Sequence, residues 1–217
     1  MRVAAYYVPA VDDPLWRAGC TWLGRDPETA ATSLSPFPEF TAEPRLYGFH
    51  ATLKPPMRLS TAYDTFIETV RSLGSLLRPF PLPPLRVADL SGFLALRESR
   101  ASPELQNLAD TCVLGLDMHR APPDEAELAR RRRGGLPPAQ DAMLVRWGYP
   151  HVFETWFFHM TLTRRLTDAD RAAVRPAAEA HFAAALGHPR EVDAITIFTQ
   201  SAAGAPFLIA ERLPLGG

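Results

Sequence analysis

The sequence has little cysteine, a single lysine and no long apolar run. Cys20 and Cys112 are too few for a disulfide framework or a cysteine-rich zinc site. No apolar run reaches the ~18 residues of a membrane span. Residues 1–14 contain Asp12-Asp13 and make a poor secretory signal. We therefore expect a globular protein of the cytoplasm, with no membrane partner.

Neither sign of charge is in excess along the chain. Lysine and arginine total 23 against 24 aspartates and glutamates, so the formal net charge is -1. Bulk positive charge drives binding to duplex nucleic acid and to anionic membranes, so this balance argues against both kinds of binding. Positive charge concentrated in a local cleft remains compatible with it. With 47% apolar residues, the 217-residue chain can bury a sizeable core, as one domain or as two small lobes.

The apolar pattern predicts a mixture of strands and helices. In the first half, strands are predicted at residues 2–8, 47–54, 85–89 and 93–97, and helices beginning at Pro14, after Thr61 and at Pro103. Residues 25–44 are predicted to be irregular, because they are rich in proline, serine and threonine. In the second half, two short helices are predicted within 123–148, a strand at 153–164, a helix after Thr167, and strands at 192–199 and 207–212.

The two halves repeat the same order of elements. In each half a strand is followed by a helix with a Thr-x-x-Asp cap and then by a strand pair; the caps are Thr61 with Asp64 and Thr167 with Asp170. Such a repeat indicates an internal duplication. We predict the α+β class, as a bilobal duplication with two antiparallel sheets and flanking helices around a central cleft.

The best-matched segments of the repeat carry polar residues. They are Phe49-His50-Ala51-Thr52-Leu53 and Phe158-His159-Met160-Thr161-Leu162. Because side chains alternate along a strand, the two histidines and two threonines are expected on the face away from the core, with Lys54 on the same face. If both strands lie near the pseudo-axis, their polar faces line one cleft.

Two imidazoles and two hydroxyls in one cleft suit acid–base chemistry at phosphorus. Imidazole exchanges protons near neutral pH, so His50 and His159 can deprotonate a nucleophile and protonate a leaving group on opposite sides of a phosphate. Threonine hydroxyls can hold the non-bridging oxygens. Positive charge would stabilise those oxygens, from Lys54 and from Arg164 or Arg165, of which alternation favours Arg165. Tyr6 or Tyr7 is expected to border the cleft and stack on a ribose or base.

Paired His-x-Thr-Leu motifs, 109 residues apart, resemble the 2H phosphoesterase superfamily. Several longer stretches resemble one branch of it that is often found in bacterial phosphonate-utilisation operons: Tyr47–Lys54, Phe158–Thr163, Leu15-Trp16 with Trp22–Asp26, and Arg146–Pro150. The resemblance covers nearly the whole chain. It implies a single bilobal domain over residues 1–217, with the first motif in a lobe of about residues 1–120 and the second in a lobe of about 121–217. Exchange of terminal strands between the lobes is compatible with it.

The resemblance also implies a reaction. Superfamily members act without a metal or cofactor on cyclic phosphodiesters or RNA-end linkages, with the histidines as catalytic pair and the threonines as phosphate ligands. His50 and His159 take the first role here, and Thr52 and Thr161 the second. The branch suggests a cyclic ribose phosphate from carbon–phosphorus lyase metabolism as the small-molecule substrate. We expect the protein to be a monomer.

Four alternatives remain open at the level of sequence. The protein could process RNA ends, although it lacks a long basic stripe. It could be a silent module that binds a cyclic nucleotide or sugar phosphate. The histidines, with His151, could ligate zinc, although threonine is a poor zinc ligand. Arg130–Arg133, just before Gly134, fit the basic last turn of a helix or a phosphate-binding patch.

Overall fold

The computed structural model describes residues 1–216, whose strands form a seven-stranded antiparallel sheet and a separate two-stranded one. The strands are β1 (Arg2–Tyr7), β2 (Ala51–Met57), β3 (Phe80–Pro81), β4 (Leu85–Asp89), β5 (Leu94–Glu98), β6 (Met160–Thr161), β7 (Glu191–Val192), β8 (Ala194–Gln200) and β9 (Leu208–Pro214). The α-helices are α1 (Pro14–Leu23), α2 (Pro38–Tyr47), α3 (Tyr63–Leu76), α4 (Pro103–Leu116), α5 (Glu125–Arg132), α6 (Pro138–Trp147) and α7 (Asp168–Leu186). The predicted α+β class is confirmed.

The large sheet joins the two halves of the chain at its centre. Its strand order is β4-β5-β6-β2-β1-β8-β9, and β3 pairs with β7 in the small sheet. The motif strands β2 and β6 are neighbours, paired antiparallel through Ala51 and Met160. The prediction placed the strands of the two halves in separate sheets. The pairing of β2 with β6 instead joins strands of both halves in one continuous sheet. The first-half pair β4–β5 flanks the second-half strand β6, and the second-half pair β8–β9 flanks β1.

Helices α1, α3, α4 and α7 cover the face of the sheet that carries the apolar motif residues. Phe49 is fully buried and stacks on Phe182 of α7, with ring centroids 6.1 Å apart. It also lies so close to Gly19 of α1 that a Cβ there would meet the ring at 2.2 Å. Trp22 donates its indole N–H to the carbonyl of Leu162 at 3.0 Å. The apolar halves of both motifs are thus fixed by the core.

One of the two predicted helix caps is confirmed and the other is wrong. Thr167 is the N-cap of α7, and its hydroxyl accepts a hydrogen bond from the amide of Asp170 at 3.2 Å, as predicted. The prediction for Thr61 was wrong. Ala62 is the N-cap of α3, and the Thr61 hydroxyl bonds instead to His119 Nδ1 at 2.8 Å. A buried imidazole needs hydrogen-bond partners for its nitrogens, so the Thr61 hydroxyl bonds to His119 and does not cap the helix.

Residues 25–44 are not wholly irregular, because α2 begins at Pro38 and runs to Tyr47. Proline at the first helical position is favourable, since its missing N–H would have no intrahelical partner there. Only Thr41 and Pro44 of this helix are buried, so the apolar stripe that identifies a helix in a sequence is absent. A second proline, Pro44, lies inside the helix, and proline in a sequence favours the prediction of a loop.

The two motif strands have different bounds from those predicted. The first was expected at residues 47–54, but β2 begins at Ala51 and continues through Pro55 and Pro56 to Met57. The prolines lie where the pairing of β2 is irregular: β6 pairs with β2 only at Ala51, and the register with β1 shifts between the Ala5–Lys54 and Val3–Met57 pairs. Proline is tolerated in a strand at such irregular or unpaired positions.

The second motif strand is much shorter than the predicted 153–164, with only Met160 and Thr161 in the sheet. Residues 153–155 form a short 3-10 turn, which Phe153 enters with a positive φ of 52°. Gln106 of α4 donates to the Phe153 carbonyl at 3.0 Å. The backbone before Met160 therefore contacts α4 and lies outside the sheet.

Among residues 1–216, no helix combines the length and the apolar character needed to cross a membrane.

Candidate active site

A cleft of about 890 Å³ opens over the centre of the large sheet, on the face opposite to Phe49. Both motif histidines and both motif threonines line it, together with Tyr6 and Arg165. The antiparallel pairing of Ala51 with Met160 sets His50 level with Thr161, and Thr52 level with His159. Each strand therefore brings its histidine beside the threonine of the other, and the polar faces of the two motifs line one cleft.

His50 is held by a backbone carbonyl on one side and a hydroxyl on the other. Its Nδ1 lies 2.9 Å from the carbonyl oxygen of Gly48, and its Nε2 lies 3.2 Å from the hydroxyl of Thr52. A carbonyl can only accept, so the proton of the neutral imidazole is on Nδ1 and the Thr52 hydroxyl donates to Nε2. Gly48 has φ 80°, and a Cβ on it would meet Pro27 at 2.9 Å, so this turn requires glycine.

His159 is held in the same way. Its Nδ1 lies 3.1 Å from the carbonyl oxygen of Phe157, two residues earlier, as Gly48 is two residues before His50. The same argument puts the proton on Nδ1 and leaves the Nε2 lone pair free. The imidazole packs between the rings of Phe157 and Phe93, with centroids 4.9 and 6.0 Å away. Both histidines thus have an unprotonated Nε2; that of His50 accepts the hydrogen bond from Thr52, and that of His159 has no partner among the described residues.

Burial favours the uncharged form of both imidazoles. It lowers the pKa of His50 to about 4, an effect that the Gly48 carbonyl opposes and the neighbouring His159 reinforces. Burial likewise lowers the pKa of His159, against the Phe157 carbonyl. At neutral pH both groups are bases, and an anion bound between them would favour protonation of one.

Tyr6 contacts His50 directly and is not free to stack on a ribose or base with that face. Its ring lies 3.8 Å from the imidazole, with an angle of 22° between the planes, and Phe198 packs 5.0 Å from the tyrosine ring. Tyr6 is fully buried, its hydroxyl has no hydrogen-bond partner among the described residues, and burial raises its pKa. It therefore remains a neutral phenol that fixes the imidazole.

Lys54 is not in the cleft, contrary to the prediction. Its side chain is 1% exposed and pairs with Asp117 at 2.7 Å, while Nζ also donates to the carbonyl of Val113 in α4 at 3.1 Å. The reason is a bulge in β2. Tyr6 pairs with Thr52 but Ala5 pairs with Lys54, so one extra residue in β2 interrupts the alternation and turns the lysine to the helix side.

Arg165 lies at the rim of the cleft, exposed to solvent. Its Nη1 donates to the carbonyl of Ser91 at 2.5 Å. Arg164, the other candidate, also lines the cleft, but its guanidinium donates to the carbonyls of Glu39 and Arg165. Alternation does not separate the two residues, because β6 has already ended at Thr161.

Sequence reasoning missed part of the cleft wall. Arg2 lines it from β1, and Tyr149 from the loop after α6. Arg130 and Arg131 line it from the last turn of α5, so the basic helix end predicted from the sequence also faces the cleft. Tyr149 falls within one of the longer stretches on which the resemblance rests, but nothing in its local pattern shows that it faces the same space as His50.

The zinc interpretation required a third ligand, for which His151 was the candidate. His151 is exposed and packs against Tyr149, with ring centroids 5.5 Å apart. Across residues 1–216, no three side chains of the His, Cys, Asp and Glu types are grouped as metal ligands.

Comparison with known proteins gives a family match. Residues 52–208 match the model of a family described as "Protein of unknown function (DUF1045)". A protein from Janthinobacterium sp. (strain Marseille), named "Ribose 1,5-bisphosphate phosphokinase PhnN", is 41% identical over 100% of this chain and 51% of its own length. A protein of the same name from Laribacter hongkongensis (strain HLHK9) is 35% identical over 95% of this chain and 50% of its own length. The chain spans about half the length of these curated relatives.

Solved structures with a similar arrangement are also found. A crystal structure of a phosphoesterase has a TM-score of 0.48 at 13% identity, and E. coli LigT complexed with 3′-AMP has a TM-score of 0.49 at 13% identity. Each alignment covers 100% of this chain and 98% of the other. Since the TM-scores are below 0.5 and the identities below 25%, the assignment of a reaction rests on the side chains of the cleft.

Proposed function

The chain belongs to the DUF1045 family, and we propose that it is a two-histidine phosphodiesterase that opens a small cyclic phosphodiester by hydrolysis without a metal ion. The observation that carries this proposal is the pair of matched imidazoles. His50 and His159 come from adjacent antiparallel strands, line one cleft, and each has Nδ1 bound to a carbonyl. Each therefore presents Nε2 for proton transfer.

The arrangement supports an in-line displacement at phosphorus. One histidine accepts a proton from water through Nε2 while the water oxygen forms a bond to phosphorus. The bond from phosphorus to a ring oxygen breaks on the opposite side, and the other histidine, protonated in the complex, gives that oxygen its proton. Atoms and charge then balance as cyclic phosphodiester plus water to phosphomonoester, and the two histidines end with their protonation states exchanged.

Thr52 and Thr161 are suited to hold the phosphate during this step. Their hydroxyls line the cleft level with the histidines, where they can donate to the non-bridging oxygens. Thr52 would exchange its bond to His50 Nε2 for one to the substrate, which frees that nitrogen for proton transfer. The bound anion would also raise the low pKa of the histidine that acts as acid.

The relatives suggest ribose as the sugar. Their printed name describes a kinase acting on ribose 1,5-bisphosphate, and opening a cyclic phosphate on a ribose gives a ribose phosphate of that chemical class. The kinase activity in that name belongs to proteins of which this chain spans about half the length, and it is not part of this proposal.

The test is turnover of a panel of cyclic phosphates in EDTA, with products identified by phosphorus NMR. The panel contains ribose cyclic phosphates, 2′,3′-cyclic nucleotides and 3′,5′-cyclic nucleotides. We expect the ribose compounds and the 2′,3′-cyclic nucleotides to be converted to phosphomonoesters by the wild type and not by His50→Ala/His159→Ala. Binding without turnover that is also unaffected by these substitutions would contradict the proposal and favour a silent binding module. Activity that is lost in EDTA and restored by zinc would contradict the metal-independent step.

A further inference from the structure

The cleft has more positive charge than a single phosphodiester requires. Within residues 1–216 it is lined by one carboxylate, Glu43, and by five arginines: Arg2, Arg130, Arg131, Arg164 and Arg165. The chain as a whole has a net charge of -1, so this concentration is local. A cyclic phosphodiester carries one negative charge, and concentrated guanidinium groups are typical of sites that bind phosphate.

The arginines reach the cleft from separate segments of the chain. Arg164 and Arg165 follow β6, which runs antiparallel to β2, so they lie toward the start of β2. Arg130 and Arg131 come from the last turn of α5, a helix whose N-cap, Asp124, accepts a hydrogen bond from Arg58 just after β2 at 3.3 Å. The cleft is therefore lined by two separate pairs of arginines, one after β6 and one at the end of α5.

The pair on α5 has donors that the protein does not use. Arg164 and Arg165 donate to backbone carbonyls, as described above. Arg130 makes no ion pair or side-chain hydrogen bond within residues 1–216, so its guanidinium is free. Arg131 has a buried Nε without a partner, and its bond to Glu127 is long, at 3.4 Å. Buried donors without partners are costly in a folded protein and often mark the place of a ligand.

Helix α5 is fixed in position, and the Arg131 side chain is oriented with it. Arg132, the next residue, forms a two-pronged ion pair with Asp141 of α6, at 2.6 and 3.0 Å, which fixes α5 against α6. Arg131 packs its guanidinium over the ring of Tyr149 at 5.2 Å. Its planar donors are thereby oriented before any ligand arrives, which lowers the entropic cost of binding.

We propose that Arg130 and Arg131 form a subsite for a second anionic group, a phosphomonoester of the substrate that is separate from the linkage that the histidines cleave. The inference rests on the proposed function and deepens it, since it names the substrate as a small sugar phosphate that carries both a cyclic phosphodiester and a separate phosphomonoester. A phosphomonoester has close to two negative charges at neutral pH, which matches two guanidinium groups.

Equilibrium binding of two product-like probes tests the subsite without any turnover. Adenosine 2′-phosphate and adenosine 2′,5′-bisphosphate differ only by the second phosphate, and calorimetry gives both dissociation constants. Because the two guanidinium groups would donate charge-assisted hydrogen bonds to the second phosphate, we expect the bisphosphate to bind wild type at least about tenfold more tightly. His50→Ala/His159→Ala should keep this ratio.

Arg130→Gln/Arg131→Gln should bring the two dissociation constants close together. The matched control is Arg17→Gln/Arg133→Gln, which removes the same charge from two exposed arginines outside the cleft. It should keep the wild-type ratio, and Arg130→Lys/Arg131→Lys should keep part of it. Thermal unfolding checks that all variants are folded.

Equal affinity of the two probes for wild type, or an unchanged ratio in Arg130→Gln/Arg131→Gln, would overturn the subsite and leave the proposed function standing. If the bisphosphate binds wild type more tightly and this preference is lost in Arg130→Gln/Arg131→Gln, but no cyclic phosphate is turned over, the subsite stands and the proposed function is overturned. A single-stranded RNA with a 2′,3′-cyclic end that binds more tightly than the bisphosphate, and loses that affinity in the same variant, would overturn the assignment to a small molecule.

Discussion

The ring of Tyr6 lies flat over the imidazole of His50, with centroids 3.8 Å apart and planes 22° from parallel. The contact follows from the pairing of β1 with β2, in which Tyr6 is the partner of Thr52. The tyrosine shields one face of the imidazole from water. It therefore helps to keep His50 uncharged, since burial is the main cause of its low pKa, about 4.

Tyr6→Leu should raise the pKa of His50. Leucine leaves space for water over the imidazole, and the protonated form gains hydration, so we expect an increase of about one unit toward 6.5. The measurement is an NMR titration of the His50 ring protons. Tyr6→Phe is the matched control, because it keeps the ring and removes only the hydroxyl, and it should leave the pKa near that of wild type. A leucine variant that titrates like wild type would show that Tyr6 does not shield the imidazole.

The low pKa of His50 also predicts how stability depends on pH. Between the folded value of about 4 and the unfolded value of about 6.5, the unfolded chain binds more protons at this residue. The free energy of unfolding therefore falls as pH decreases through this window, and His50 accounts for a loss of about 3 kcal/mol once the pH is below 4.

Urea unfolding of wild type and His50→Gln at pH 7.0 and pH 4.5 measures this contribution. Glutamine does not titrate, so the variant should lose less stability between the two pH values, by about 2 kcal/mol. His188→Gln, at an exposed histidine, should behave as wild type does. Equal losses in wild type and His50→Gln would show that the imidazole is not buried uncharged.

Lys54→Met should leave catalysis almost unchanged, because Lys54 lies outside the cleft. Asp117 retains its two bonds to Arg120, at 2.7 and 3.1 Å, when the lysine is removed. Asp117→Ala should be far more damaging to stability, by about 3–5 kcal/mol, because it leaves the Lys54 ammonium buried without its carboxylate. Steady-state kinetics and urea unfolding of both variants check the two statements. A large loss of kcat in a fully folded Lys54→Met would place the lysine back in the mechanism.

The convergence of the motif residues was predictable from the sequence, and the position of Lys54 was not. His50 and Thr52 share a face because alternation over two residues depends only on local strand geometry. Lys54 is two residues further on, but a bulge lies between it and Thr52. That bulge is set by the pairing with β1, a strand some 50 residues earlier in the chain, which the local pattern does not record.

The same distinction explains the other differences. Helix α7 was predictable because Val174, Ala178 and Phe182 form a regular buried stripe after a side-chain cap. Helix α2 was not, because its buried residues are few and one of them is Pro44. The contact of Tyr6 with His50, and the orientation of α5 toward the cleft, are set by contacts between distant segments.

The most direct test of the two-histidine mechanism is kcat of His50→Ala and of His159→Ala, each measured in EDTA on a cyclic phosphate that wild type hydrolyses. The matched control is His188→Ala, at an exposed histidine outside the cleft. Because each histidine moves a proton in the transition state, we expect each cleft variant to lose a factor of ~10²–10⁴ in kcat with its fold intact, and the control to lose nothing. Wild-type turnover by either cleft variant would contradict the mechanism.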